Sequence, residues 1–160
     1  MTLHSEFEAL LHSYQQPITT YLCNLLGDEE RGQELAQETF LRAYRALARG
    51  LRVDHSKAWL YRIATNAARD HLRRRRLLTW LPLFGNEPAL EVEGPEEDLV
   101  ASERMRRALL QLSPDYRIPL VLYTCHEFTV AEIASALELS TDAVKQRLVR
   151  ARKQLREAYR

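Results

Sequence analysis

Cysteine is scarce in this 160-residue chain: Cys23 and Cys125 lie far apart and form no CxxC pair. That spacing supports neither a zinc site nor a disulfide scaffold, and both read as small buried apolar residues. The five histidines, His4, His12, His55, His71 and His126, show no HExxH or paired-ligand spacing. No nucleophile motif and no glycine-rich phosphate loop is present, so a hydrolase or metal-dependent nuclease is excluded and neither a metal nor a cofactor is expected. No apolar run approaches the roughly 18 residues needed to span a bilayer. The N-terminus carries Glu6 and Glu8 and no basic stretch ahead of an apolar core, so no signal peptide and no membrane insertion are expected, and the expected location is the cytoplasm. Strand patterns of convincing length and internal repeats are missing too, which leaves an all-α fold.

Between residues 78 and 102 there is no Lys or Arg at all, against 6 acids. Residues 1–77 hold 12 basic and 9 acidic residues, and residues 103–160 hold 11 and 7. An overall charge of +1 therefore conceals two mildly basic blocks flanking an acidic segment, the pattern of two nucleic-acid-facing modules.

The first block reads as helical throughout. Phe7, Leu10, Leu11 and Tyr14 recur at helical spacing, Pro17 interrupts or restarts the helix, and Ile18, Tyr21, Leu22, Leu25 and Leu26 follow before Gly27-Asp28 ends it. A second helix from about Glu30 to Ala48 carries Leu35, Phe40, Leu41, Tyr44 and Leu47 inward, and Gly50 opens a loop. Ser56 caps a third helix, whose candidate buried stripe is Trp59, Leu60, Ile63, Ala64, Ala67, Ala68, His71 and Leu72 and which ends in Arg73 to Arg76. Pro82, Gly85, Pro88, Gly94 and Pro95 break the pattern, so the expected division is a domain at 1–77, an acidic flexible linker at 78–98 and a second domain at 99–160. Trp80 to Phe84 (WLPLF) is too apolar for a purely solvated spacer, so two readings of the segment stay open, a flexible spacer and a stretch that docks on a domain or a regulator when polymerase is absent. The last block begins with an amphipathic helix through Leu99, Met105, Leu109 and Leu112. Ser113-Pro114 then starts another helix, which Pro119 bends or restarts.

Residues 129–153, TVAEIASALELSTDAVKQRLVRARK, are the most informative. Thr129 and Glu132 form a capping box, so a helix starts at Val130, with Val130, Ile133, Ala134 and Leu137 on one face. After Glu138-Leu139, Ser140 or Thr141 caps the next helix, with Val144, Leu148, Val149 and Leu155 inside and Lys145, Gln146, Arg147, Arg150, Arg152 and Lys153 outside. This is the layout of a DNA-reading helix-turn-helix, with Ala134 where the two helices cross.

The run Arg73-Arg74-Arg75-Arg76 extends upstream through Arg69 and Arg62, with Trp59, Tyr61 and Asn66 beside it. Long basic side chains next to aromatic and amide groups suit phosphate neutralisation with base contact. The face Glu34, Gln37, Glu38, Arg42 and Arg45 of the second helix is, by composition, an ordinary charged surface.

Three segments taken together resemble a known family: QETFLRAYRAL at 37–47, KAWLYRIATNAARDHLRRRR at 57–76, and LSPDYRIPLVLYTCHEFTVAEIASALELSTDAVKQRLVRARKQL at 112–155. In order and spacing they resemble the extracytoplasmic-function sigma factors, the smallest group of bacterial RNA polymerase sigma subunits. The resemblance implies that the N-terminal domain binds the clamp helices of the polymerase β′ subunit through Glu34, Gln37, Glu38, Leu41, Arg42 and Arg45. It also implies melting of the minus-ten promoter element. The loop from Arg49 to Lys57 would hold a flipped base, Asn66 would contact its neighbour, and Arg62, Arg69, Arg73, Arg74, Arg75 and Arg76 would follow the phosphates. The C-terminal domain would contact the β flap and read the minus-thirty-five element, with Lys145, Gln146 and Arg150 on base edges and Thr141, Arg147, Arg152 and Lys153 on the backbone. The acidic linker would thread toward the RNA exit path. The resemblance also admits an anti-sigma factor as a partner.

Two features depart from the family pattern, one at a single position and one in a two-residue stretch. Gln146 stands where serine is more frequent, and glutamine pairs with adenine. Gly32 and Gln33 stand where further acids or alanine are more frequent, while Glu34 keeps one acid in place. Only five residues follow Leu155, so no appended C-terminal regulatory domain is expected. The competing reading is an autonomous helix-turn-helix regulator that binds its site without polymerase.

Overall fold

The computed structural model describes residues 2–79 and 96–160. Within them the chain is all-α: α1 (Leu3–Leu26), α2 (Glu29–Ala48) and α3 (Ser56–Thr79) form one helical group. The second comprises α4 (Glu96–Gln111), α5 (Pro114–Cys125), α6 (Val130–Leu137) and α7 (Thr141–Tyr159). No strand occurs among the described residues. Residues 80–84, the WLPLF stretch, and most of the acidic linker lie outside them.

Local chemistry sets most helix ends. Gly27 adopts the left-handed conformation (φ 63°) and its N–H donates to the Cys23 carbonyl, closing α1. Asp28 then caps α2 by accepting from the Arg31 N–H at 3.1 Å. Neither internal proline breaks its helix: α1 runs through Pro17 and α5 through Pro119. An interior proline costs about 3 kcal/mol. Burial of Ile18, Tyr21, Leu22 and Leu25 after Pro17, and of Ile118, Leu120, Val121 and Leu122 around Pro119, offsets that at about 1.5–3 kcal/mol per side chain.

Close approach of α1 and α2 is fixed at Gly32. A Cβ there would sit 2.8 Å from both the Cα and the backbone nitrogen of Cys23. Cys23 is only half-buried and Cys125 is exposed, so the expectation of two buried thiols fails. Cys125 is the last residue of α5, at the rim of the molecule.

Helix α3 is buried on two sides, which the single stripe read from its sequence does not anticipate. Leu60, Ala64, Ala67 and Ala68 are buried as expected, and so are Tyr61 and Thr65. The Tyr21 hydroxyl lies 2.7 Å from Thr65 Oγ1, and the Tyr61 ring packs edge-on against Phe128 at 4.8 Å. Tyr61 is thus a core residue between the helical groups in this arrangement of the chain. Conversely, Leu41 (48% exposed), Tyr44 (40%) and Val149 (64%), all expected inside, face outward, as does Met105. Each lies at the edge of its apolar stripe, where one helical position decides between core and solvent.

A buried arginine joins the two groups. From α5, Arg117 donates through Nη1 to the Leu25 carbonyl at 2.7 Å, through Nη2 to the Leu110 and Leu112 carbonyls at 2.8 and 2.7 Å, and through Nε to that of Leu109 at 3.1 Å. It thereby satisfies the open carbonyls at the ends of α1 and α4, which a buried helix end would otherwise leave unpaired. Burial, and then Arg75, lowers its pKa. Arg106 adds a bond from Nη1 to the Gly27 carbonyl at 3.0 Å.

Candidate nucleic-acid interface

The capping box forms as the sequence dictates. Thr129 N–H donates to Glu132 Oε1 and Glu132 N–H to Thr129 Oγ1, both at 3.1 Å. The bond from the Thr129 backbone, ahead of other causes, holds the Glu132 carboxyl below its usual range. Glu138 ends α6 in the left-handed conformation (φ 56°). Ser140, and not Thr141, caps α7 by accepting from the Ala143 N–H at 3.1 Å. Ile133, Ala134, Ala136 and Leu137 of α6 meet Val144, Leu148 and Ala151 of α7 in the shared core.

That core decides which α7 residues reach outward. Lys145, Gln146, Arg150 and Lys153 are all exposed. At about 100° per residue they fall within roughly 140° of arc, opposite the buried face. Thr141 is exposed at the N-terminal end of the same helix. The remaining two arginines flank this face and have partners on α5. Arg147 is half-buried, with Nη1 3.5 Å from Asp115 Oδ1, and Arg152 stacks over the Tyr123 ring at 5.3 Å.

On α3, Arg62, Asn66, Arg69, Arg73 and Arg76 recur at spacings of four and three residues and form one stripe along the helix. Arg74 and Arg75 turn aside from it, although both are exposed. Arg73 has Asp70 at 3.7 Å, and Arg69 is half-buried near Tyr21. The N-terminal end of the stripe is occupied. Arg62 donates through Nη2 to the Ser135 carbonyl at 2.6 Å and through Nε to the Ala136 carbonyl at 3.3 Å, with Glu138 Oε1 3.4 Å from Nη1. Lys57, one turn earlier, lies 3.8 Å from Glu132 Oε2 and 4.4 Å over the Phe128 ring. The first helix of the helix-turn-helix is thus docked on the basic stripe. Nothing local in the sequence signals this contact, because its partners are more than 70 residues apart.

A third surface lies on the opposite side of the first group. Gln37 and Leu41 of α2 line a groove of about 570 Å³ with Tyr44, and α1 supplies its other wall through Phe7, Leu11, Gln15 and Gln16. Phe7 and Tyr44 meet edge-on at 5.1 Å. Of the other residues expected here, Glu34 and Arg45 are exposed on the same face, Glu34 pairing with Arg31 at 2.8 Å. Arg42 pairs with Glu38 one turn before it. Sequence reasoning found the α2 side of this groove but not the α1 side. The signal on α1 is the change from apolar residues to Gln15-Gln16 on a helix that otherwise buries its core face.

Among the described residues no cluster of His, Cys, Asp or Glu could hold a metal ion, and no helix is long and apolar enough to cross a membrane.

Two exposed basic helical faces, one belonging to a capped helix-turn-helix, define a two-module DNA-reading protein. The family model described as sigma-70 region 2 matches residues 10–77, and that described as sigma-70, region 4 matches residues 102–155. RNA polymerase sigma-H factor of Pseudomonas aeruginosa is 30% identical, over 95% of this chain and 85% of that protein. RNA polymerase sigma factor YlaC of Bacillus subtilis is 31% identical, over 98% of this chain and 94% of that one. Among solved structures, CnrH in complex with the cytosolic domain of CnrY superposes with a TM-score of 0.67 at 26% identity, over 96% of this chain and 87% of that one. Sigma factor RpoE in complex with anti-sigma factor NepR, from Bartonella quintana, shares the fold with a TM-score of 0.76 at 23% identity, over 96% of both chains. The chain belongs to the sigma-70 family, within its extracytoplasmic-function group. It is a promoter-recognition subunit of RNA polymerase and not an enzyme, and the reading as an autonomous regulator is not favoured.

Proposed function

We propose that three surfaces divide the work of initiation, in the cytoplasm, within domains at 1–77 and 99–160 joined by a linker at 78–98. The groove face of α2, through Glu34, Gln37, Glu38, Leu41, Arg42 and Arg45, docks on the β′ clamp helices of core polymerase. The α3 stripe, with Asn66 and the loop from Arg49 to Lys57, captures the melted minus-ten strand. Capturing an unpaired base offsets part of the unstacking cost, a few kcal/mol per step. The exposed face of α7 reads the minus-thirty-five element in duplex form through Lys145, Gln146 and Arg150. Thr141, Arg147, Arg152 and Lys153 hold phosphates, the two arginines after leaving their α5 partners, and the β flap supports this domain.

The observation that carries this reading is the docking of α6 on Arg62. A chain whose minus-ten stripe has its Arg62 end held by the first helix of its own helix-turn-helix binds promoter DNA poorly when free. Polymerase, by holding the two domains on separate surfaces, frees the Arg62 end of the stripe. An anti-sigma factor that stabilised the docked form would have the opposite effect.

The test is reconstitution with core polymerase. Expected is co-purification with core and transcription from a promoter that core alone ignores. Failure to co-purify would overturn the division of surfaces before any promoter is tried.

A further inference from the structure

His126 follows α5 at the junction of the two helical groups. Its ring stands edge-on to Tyr21 at 5.3 Å and Tyr61 at 5.5 Å, both from the first group. Nδ1 lies 3.0 Å from the Tyr61 hydroxyl. Nε2 is buried and has no hydrogen-bond partner among the described residues. The groups around the ring are few. From α3 come Lys57 and Tyr61, and from α1 the phenols of Tyr14 and Tyr21. Cys125 at the end of α5 and Glu127 in the turn are both exposed, and the Glu132 carboxylate of α6 is turned to Lys57.

We infer that His126 is an acid-sensitive latch: the neutral ring fits the closed junction, the protonated ring does not, and acidification therefore opens the chain. The neutral ring fits as the Nδ1–H tautomer, whose single N–H donates to the Tyr61 oxygen and leaves no N–H on the buried Nε2. A second proton gives it two donors, but the junction supplies one partner, the Tyr61 oxygen, and leaves the Nε2–H buried without an acceptor. The added charge would also face Lys57. Burial first, and Lys57 second, hold the imidazole pKa below its usual value of 6.5. Tyr61 remains protonated, since burial pushes it up to about 12.

The sign follows from linkage. A histidine whose pKa is lower in the closed form than in the open form favours closure while neutral. That contribution is present above the open-form value, about 6.5, and is lost as pH falls toward the closed-form value. Over that interval the open-to-closed ratio rises by up to about tenfold per pH unit. Opening would release Arg62 and Lys57 from α6 together. The inference concerns the junction of the free chain and does not depend on the promoter roles proposed above.

Small-angle scattering of the full chain between about pH 8 and pH 5.5 brackets the ordinary imidazole value. Expected is a rising radius of gyration below about pH 6.5 with unchanged helical circular dichroism, and a flat profile for His126→Gln. A pH-independent radius in the native chain, or the same transition in H126Q, overturns the latch. So does loss of the transition in His71→Gln instead, since His71, packed near Arg31 and Arg75, also has a lowered pKa. Should H126Q be open at every pH, titration of the His126 ring in the native chain by NMR decides: an apparent pKa below about 6.5 supports the latch, and one at or above it overturns it.

Discussion

The Arg62 guanidinium and the Ser135 carbonyl, 2.6 Å apart, tie the basic stripe of α3 to the C-terminal end of α6. A cation at a helix C-terminus is favourably placed against the exposed carbonyls and the negative end of the dipole. The contact therefore stabilises the closed chain with the side chain that the proposed minus-ten role needs free. Each function of Arg62 excludes the other, and which one prevails depends on what holds α6.

Arg62→Ala should separate the two roles. Hydrogen bonds from a charged donor are worth about 1.5–3 kcal/mol, so the free variant is expected to open roughly tenfold or more relative to the native chain, seen as a larger radius of gyration. The same variant in holoenzyme should melt the minus-ten element less well, seen by permanganate footprinting. Glu138→Gln removes only the ion pair, whose carboxylate is 74% exposed. Because such exposed pairs contribute about 0–1 kcal/mol, that variant should open the chain only a few-fold and leave melting intact. Melting lost equally in both variants would contradict the assignment.

Leu41 tests the groove. At 48% exposed, it contributes little to the core, so Leu41→Asp should leave thermal stability within about 0.5 kcal/mol of the native chain. Binding to core polymerase should fall at least tenfold in a competition pull-down, because an unpaired carboxylate would be buried on docking. A large loss of stability with unchanged polymerase binding would return Leu41 to the core role its sequence position suggests.

What was legible in the sequence was local. The capping box, the spacing of Ile133, Ala134 and Leu137, and the basic outer face of α7 all depend on residues a few positions apart, and the structure forms them as read. The α3 stripe is legible for the same reason, whereas the α2 side of the groove reads as an ordinary charged surface and stands out only through the family resemblance. Illegible were contacts between distant segments. The partner of Tyr61, His126, lies 65 positions away, and one of the acceptors of Arg117, Leu25, is 92 positions distant, so no local pattern marks either residue. Leu41 and Val149 were misplaced by one helical position at the edge of an apolar stripe, where only the neighbouring helix decides the side.

Gly32, one of the two departures from the family pattern, has a steric reason. The missing Cβ would meet backbone atoms of Cys23 at 2.8 Å, and a backbone cannot swing aside as a side chain tip can. Gly32→Ala should therefore destabilise by about 1–3 kcal/mol from overpacking, less up to about 1 kcal/mol regained in helix propensity. A fall of several degrees in Tm is expected. An unchanged or raised Tm would show that α1 and α2 separate without cost.

Arg150 and Lys153 share the free face of α7 but are given different partners, a base edge and a phosphate. Neither makes a hydrogen bond or ion pair with another described residue, so substitution should change DNA contact without disturbing the fold. Arg150→Ala is expected to lose about 1–3 kcal/mol of discrimination at one base pair of the upstream element. Lys153→Ala should weaken all sequences alike and reduce the slope of log affinity against log salt by about one. Both are measured on holoenzyme with duplexes substituted at each upstream position, over a range of salt. Polymerase binding should be unchanged in both, because the groove of α1 and α2 lies on the other helical group. If R150A abolished polymerase binding while sparing base discrimination, α7 would be a polymerase contact and not the upstream reader.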